Sequence, residues 1–340
     1  MRNLPTVANR PPVPRYGDSR FHKNANASVG SGGGIGKSVL VQLLGDFIAT
    51  SVRVPVSRVF LLQCARGELV RCGRIPPNGL EGVEECVQHI IKKEGVFGLF
   101  RGGWENELLD AATKLLRITT ASVIAQFHLL MAHFFGRGAV LFHFCEPFLQ
   151  LLITLPMVGL RDAVLYNYTV DIVAPKNSEE QKNPFVEEAY IYNSAWEAVS
   201  AVLDRYGWEG LCFNGLDADF LELGAQLIST KLVASLTMSQ VNYLAKADGA
   251  SILRKVAVVT AVDVALRVFL ITVQQPFQVL RARVKALRPR DDPTASRSWS
   301  LRGVADIVHA EGFKGLWTGL RVRLLGEVGA VLIRSLYYFL

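Results

Sequence analysis

Cysteine is scarce and unpatterned in this chain. Five occur in 340 residues (Cys64, Cys72, Cys86, Cys145 and Cys212), with no CxxC pair and no regular spacing. That excludes a disulfide framework and a structural zinc site as the basis of the fold. Charge is also sparse, at 20% of residues. The first 35 residues lack an apolar core, which excludes a secretory signal there. They contain no acid before Asp18, as a cleaved organellar presequence would, but Pro5, Pro11, Pro12 and Pro14 break the amphipathic helix that such a signal needs. Residues 1–37 are therefore read as a retained Pro-, Gly- and Arg-rich extension. No Ser–His–Asp set and no paired carboxylates stand out, so the chain is not expected to be an enzyme. His128, His133 and His143 lie in or beside apolar segments, and the first two, five residues apart, share a helix face poorly. No metal is expected.

One stretch invites a specific reading. SVGSGGGIGKSVLVQ, residues 28–42, contains GGIGKS, which looks like a phosphate-binding loop. Such a loop uses glycines to turn backbone N–H groups toward phosphate, a Lys for the terminal phosphates and a Ser or Thr for magnesium. Gly36, Lys37 and Ser38 fit the second half of GxxxxGK followed by Ser or Thr. The first glycine should fall at position 31, which is Ser31; Gly30 is one place off. The preceding FHKNANAS is too polar for the buried strand such a loop follows. A nucleotide binder is therefore the weaker alternative, and a flexible Gly/Ser linker ahead of a helix is preferred.

What the chain has in quantity is apolar sequence. Half of its residues are hydrophobic, its mean hydropathy is +0.25 and its net charge is 37 − 30 = +7. Six segments approach the length of about 20 residues that a bilayer requires: Val39–Val56, Ala111–Phe135, Gly138–Leu160, Phe220–Leu244, Ile252–Val273 and Val322–Leu340. Each carries a few polar groups. Asp46 and Arg53, Asp263 and Arg267, and Glu327 and Arg334 are spaced by seven, four and seven residues, which puts each pair on one helix face. In a membrane such faces turn toward a bundle or cavity.

The segments recur in a long repeat. EGVFGLFRGG, YGWEGLCFNG and EGFKGLWTGL share Gly95, Gly207 and Gly312, which stand 112 and 105 residues apart. An amphipathic helix pattern precedes each: LEGVEECVQHIIKK, NSAWEAVSAVLDR and LRGVADIVHA. A proline, Pro55, Pro156 or Pro276, stands at the end of the first span of each unit, where a helix kink is expected. The unit is span, proline, loop, short surface helix, glycine turn, span, and it occurs three times.

This pattern resembles the mitochondrial carrier family over about residues 38–340. The resemblance implies an all-α membrane protein of three tandem repeats (38–136, 137–245 and 246–340). Six transmembrane helices would surround a central cavity, with three short amphipathic helices on the matrix side, in a multi-pass protein of the mitochondrial inner membrane. Basic residues agree with that orientation. Arg58, Arg66, Arg71, Arg74, Lys92, Lys93 and Arg101 crowd the first proposed matrix segment, while the loop between spans two and three offers only Arg137.

The chain departs from the family at its gates. The family places an acid two residues, and a base five residues, after each proline, and these pair between repeats. Here the acid positions are Ser57, Val158 and Gln278, and the basic positions are Phe60, Arg161 and Arg281. Arg161 and Arg281 are therefore expected to face a site without counter-charge. The second network, at the other end, falls on Ser122, Ala125, Ser235, Met238 and Phe339, none of them charged. With both gates missing, the chain is expected to rest in one conformation and to serve as a structural or accessory subunit of a respiratory-chain complex or ATP synthase. The long second loop, VAPKNSEEQKNPFVEEAY, is a candidate contact. The alternative is an active solute carrier of altered specificity, with Glu222, Asp263, Arg267 and Glu327 as cavity groups. The resemblance also implies bound cardiolipin, with Gly82, Gly303, Gly319, and Gly102 beside Arg101, at phosphate-binding helix N-termini. Ser194 replaces the corresponding glycine in the second repeat. No other cofactor and no nucleic-acid partner is expected.

Overall fold

The computed structural model describes residues 35–136, 139–175, 188–246, 252–286 and 300–337. The chain divides into two units, Met1–Val52 and Arg53–Leu340. In the first, residues 35–52 are helical and residues 28–34 of the glycine stretch lie outside the described residues; Ile35 to Ser38 form the opening helical turn. Among the described residues there is no strand, only a single bridge between Ala174 and Ala189.

Nine α-helices are described. The first three are α1 (Ile35–Arg71), α2 (Val83–Glu94) and α3 (Gly103–Phe135). Then come α4 (Ala139–Ala163), α5 (Ala195–Phe213) and α6 (Leu216–Lys246). The last are α7 (Ile252–Lys285), α8 (Ser300–Glu311) and α9 (Leu320–Tyr337). One order of elements therefore occurs three times: a long proline-bearing helix, a short helix, a glycine turn and another long helix. We call these the first, second and third modules. Over their described residues, all six expected spans are helical. One helical stretch among the described residues, Cys145–Tyr168, is long and apolar enough by itself to cross a membrane, with mean hydropathy 1.6. The other helices run through charged residues such as Asp110, Lys114 and Arg117 in α3.

The three turns agree in backbone geometry. Gly95, Gly207 and Gly312 have φ of 78°, 68° and 71° with ψ near 180°. Gly102, Gly215 and Gly319, just before or at the start of the following helix, have φ of 72°, 72° and 78°. A side chain is strained at such φ, which explains why glycine recurs there while neighbouring residues vary. The second set also packs tightly. A Cβ on Gly102 would meet Thr169 after α4, one on Gly215 would meet Val284 of α7, and one on Gly319 would meet Phe60 and Cys64 of α1. Each module thus tucks its turn against the proline-bearing helix of another module or the chain just beyond it.

The prolines, expected to kink helices at the ends of the first spans, stand within longer helices. Pro55, Pro156 and Pro276 lie inside α1, α4 and α7. Loss of one N–H bond is offset by burial of the turns beyond. Leu61, Leu62, Cys64 and Ala65 past Pro55, and Val279, Leu280 and Ala282 past Pro276, belong to the main apolar cluster. After Ala163, α4 runs on through a π-helical turn, Val164–Tyr168.

The short helices have distinct starts. Gly82 precedes α2 in extended conformation without a side-chain cap. Ser194 caps α5: its Oγ accepts from the Glu197 N–H at 3.1 Å, while Glu197 Oε2 accepts from the Asn193 N–H at 2.7 Å. This reciprocal pair satisfies two otherwise orphaned donors. Ser194→Ala is expected to cost about 1 kcal/mol, measurable as faster amide exchange over the first turns of α5.

Candidate functional site

The polar interior lies where α4, α6 and α7 meet. Asp219 and Glu222 are three residues apart on α6; Gln278, Arg281 and Lys285 are three and four apart on α7, so each set shares a helix face. α6 packs along α7 and presents these faces to each other. Arg281 Nη1 donates to Glu222 Oε2 at 2.8 Å, and Arg281 Nη2 donates to Asp162 Oδ2 at 2.9 Å. Arg281 Nε stands 2.7 Å from Asp219 Oδ1, though not aligned as a hydrogen bond. Lys285 Nζ donates to Asp162 Oδ2 at 2.5 Å and to Asp219 Oδ2 at 2.6 Å. Gln278 Nε2 donates to Glu222 Oε1 at 3.3 Å. Nearby, Arg161 Nη1 donates to Asp110 Oδ1 at 3.1 Å, joining α4 to α3.

The expectation that Arg161 and Arg281 lack counter-charge is therefore wrong. Their carboxylates come from outside the positions at which an acid was sought. Asp162 is the residue after Arg161, while Asp110, Asp219 and Glu222 belong to the helices that follow the glycine turns. The readable signal was the matching spacing of Asp219 and Glu222 with Arg281 and Lys285. Asp162 and Asp219 are almost fully buried. Ionised groups persist in such places only when paired and hydrogen-bonded, as these are.

The remaining gate positions do other things. Ser57 Oγ donates to the Val54 carbonyl at 2.8 Å within its own helix. Phe60 packs near Gly319, and Val158 is buried. At the opposite end Ser122, Ala125 and Ser235 are exposed, and the side chain of Met238 and all of Phe339 lie outside the described residues. Of the proposed cavity groups, Glu222 belongs to the Arg281 cluster. The side chain of Asp263 is not described, Arg267 is half-buried and Glu327 is exposed. Glu222 and Glu327 both act electrostatically on Arg323, favouring its charged form against burial.

A second polar centre was not anticipated. Arg58, Arg74 and Arg101 of the first module converge on residues 168–192 of the second. Arg58 donates from Nε to the Thr169 carbonyl at 3.0 Å and from Nη2 to the Asp171 carbonyl at 2.9 Å; its Nη1 bonds Glu94 Oε2 at 2.6 Å and the Gly98 carbonyl. Arg74 donates to Ala174, Pro175 and Ala189 carbonyls at 2.8, 2.9 and 3.1 Å, to the Ile172 carbonyl and to Asp171 Oδ1 at 3.0 Å. Arg101 lies between the rings of Tyr168 and Tyr190, 4.2 and 3.6 Å from their centroids, and bonds the Tyr168 and Tyr192 carbonyls. Asp171 Oδ2 accepts from the N–H groups of Ile191 and Tyr192 at 2.7 and 3.0 Å. Of the long second loop, residues 176–187 lie outside the described residues; its two stems are what the arginines hold.

His89 of α2 sits beside this centre. Its Nε2 is buried without a partner, and the ring has a backbone hydrogen bond at Val173. Burial holds its pKa below the ordinary 6.5, outweighing Glu94. The unfolded chain then takes up a proton before the folded one does, so stability is lost as pH falls below 6.5 toward the depressed value. Protection of the α2 amides, corrected for the pH dependence of intrinsic exchange, is expected to fall as pH drops below 6.5, and His89→Gln is expected to remove that dependence.

Between the first and third modules lies a groove of about 1220 Å³. Gly82, Gly303 and Gly319 all line it, with Arg66, Arg71 and Lys314. Arg101 and Gly102 are not part of it. Exposed apolar side chains follow the glycine turns in every module: Val96, Trp208 and Phe313 are 59%, 65% and 72% exposed. Among the described residues no cluster of His, Cys, Asp and Glu could hold a metal ion.

Over the described residues, helix–turn–helix modules joined through buried charges define an all-helical protein. Residues 265–339, within the third module, match the family model described as mitochondrial carrier protein. No curated protein matches the chain.

Proposed function

We propose that this chain is a multi-pass protein of the mitochondrial inner membrane, with three carrier repeats, six spans around a cavity and the short helices on the matrix side. In this reading it is held closed on the short-helix side and serves as a structural or accessory subunit of a larger inner-membrane assembly, a respiratory-chain complex or ATP synthase. The carrying observation is asymmetry. The Arg281 cluster ties α4, α6 and α7 beyond the prolines, while the positions that would close the other end hold Ser122, Ala125 and Ser235. Alternating access requires two closures of similar energy; one strong closure favours one resting state. The exposed Val96, Trp208 and Phe313 support a lipid interface beside the short helices. The groove lined by Gly82, Gly303 and Gly319 suits a lipid phosphate of the cardiolipin type.

A second reading, an active solute carrier of altered specificity, is favoured by the ionic closure itself, which a carrier needs and which the gate positions alone did not promise. Native separation of mild-detergent mitochondrial extracts, with mass spectrometry across the fractions, tests the two. Co-migration with a large complex is the expected result. Migration near 37.5 kDa plus bound detergent, together with solute uptake by liposomes containing the pure protein, would replace the first reading with the second.

A further inference from the structure

We infer that the first and second modules form one rigid body on the short-helix side, clamped by Arg58, Arg74 and Arg101, and that this side opens along the groove between the first and third modules. The rigid pair holds under either proposed role; the opening rests on the reading as a working carrier, since a subunit held closed on this side would not part there.

The clamp differs in kind from an ordinary interface. Three guanidinium groups from one module grip the main chain of the other. Arg58 and Arg74 are fully buried, at 0% and 2% exposure. Between them they donate to six carbonyl oxygens of the second module. A guanidinium fork is planar and pre-organised, so several bonds are made for little further loss of freedom. Any sliding of the stems would strand several buried donors and acceptors at once, each costly to leave unmade. Further links reinforce the grip. Glu94 Oε1 accepts from the Val173 N–H at 3.1 Å, and Asn106 Nδ2 donates to Thr169 Oγ1 at 2.7 Å. Val170, Ile172 and Ala174 share one apolar cluster with Ile75, Cys86 and Ile90 of the first module. Nothing here can yield by a small step, since the donors are buried and the acceptors are backbone.

The seam between the first and third modules is built otherwise. It shares apolar packing, and Arg283 Nε donates to the Cys64 carbonyl at 3.1 Å. The strong ion pair there, Arg283 with Glu311 at 2.7 Å, lies within the third module. The groove of about 1220 Å³ runs along this seam. Apolar surfaces beside a void can part without stranding charges, whereas the clamp cannot.

The test is a pair of spin-label distances on the full chain in nanodiscs. Cys72, Cys145 and Cys212 are replaced by serine, while Cys64 and Cys86 are buried and can stay; burial pushes the Cys86 thiol up to about 12. Exposed positions Glu84 on α2, Asp204 on α5 and His309 on α8 are changed in pairs to cysteine and labelled. The expected result is a single narrow distance distribution for 84–204 and a broad or two-peaked one for 84–309. Arg74→Ala is expected to widen the 84–204 distribution to match the other. Arg74→Lys, which keeps the charge beside Asp171 but cannot reach the carbonyls together, should do so even if the alanine variant does not fold. An 84–204 distribution as broad as 84–309 in the unaltered clamp would overturn the rigid body. Two narrow distributions would overturn opening at the groove.

Discussion

Asp171→Ala is expected to be among the most destabilising single changes in this chain, costing about 3–5 kcal/mol. Asp171 is 4% exposed. Its carboxylate faces Arg74 at 3.0 Å and Arg101 at 3.6 Å and accepts from two backbone N–H groups. Removing it leaves a buried guanidinium without its anion and two donors without acceptors. Little water can reach the site to replace them. Asp171→Asn tests the charge separately, because its amide oxygen can still accept from the Ile191 and Tyr192 N–H groups; its loss should be smaller. Thermal unfolding of the detergent-solubilised protein, compared across the three forms, reads the difference. Equal melting of Asp171→Ala and the unaltered chain would show that the clamp contributes nothing net.

Arg281→Gln carries the other large expected effect. Arg281 is the common partner of Asp162, Asp219 and Glu222, and only Lys285 remains for the two aspartates if it is neutralised. Three carboxylates around one ammonium repel one another at close range. The expected loss is again about 3–5 kcal/mol, and it should be partly restored by Arg281→Gln with Glu222→Gln, which removes one acid with the base. A double-mutant cycle isolates this coupling, which for close network members is on the order of 0.5–3 kcal/mol. Additive losses would mean that the helices are held by their apolar packing alone. The same variants offer a functional readout. If the cluster is the closure of this side, a cysteine at Gln278 should gain reactivity toward a water-soluble reagent when Arg281 is neutralised.

The positions of the helices were legible because their signals are local. Spacing of apolar residues marked the long segments, and left-handed glycines at Gly95, Gly207 and Gly312 marked the turns, since no other residue takes that conformation without strain. Helix continuation past Pro55, Pro156 and Pro276 was not legible. A proline's cost is local, but the burial that offsets it comes from residues distant in sequence, such as Leu62 and Leu280, which share one apolar cluster.

The ionic site divides in the same way. The sequence determined which residues are charged and which share a helix face: Asp219 with Glu222, and Arg281 with Lys285. It determined also that no acid stands at Ser57, Val158 or Gln278. Only the tertiary structure decided that Asp162 and Asp219 stand within reach of Arg281 and Lys285, and that Arg58, Arg74 and Arg101 converge on residues roughly 70 to 115 positions away. The physical reason is range. Backbone preference acts over a turn or two of chain, whereas a charge in a dry interior takes whichever opposite charge or carbonyl folding brings within about 3 Å.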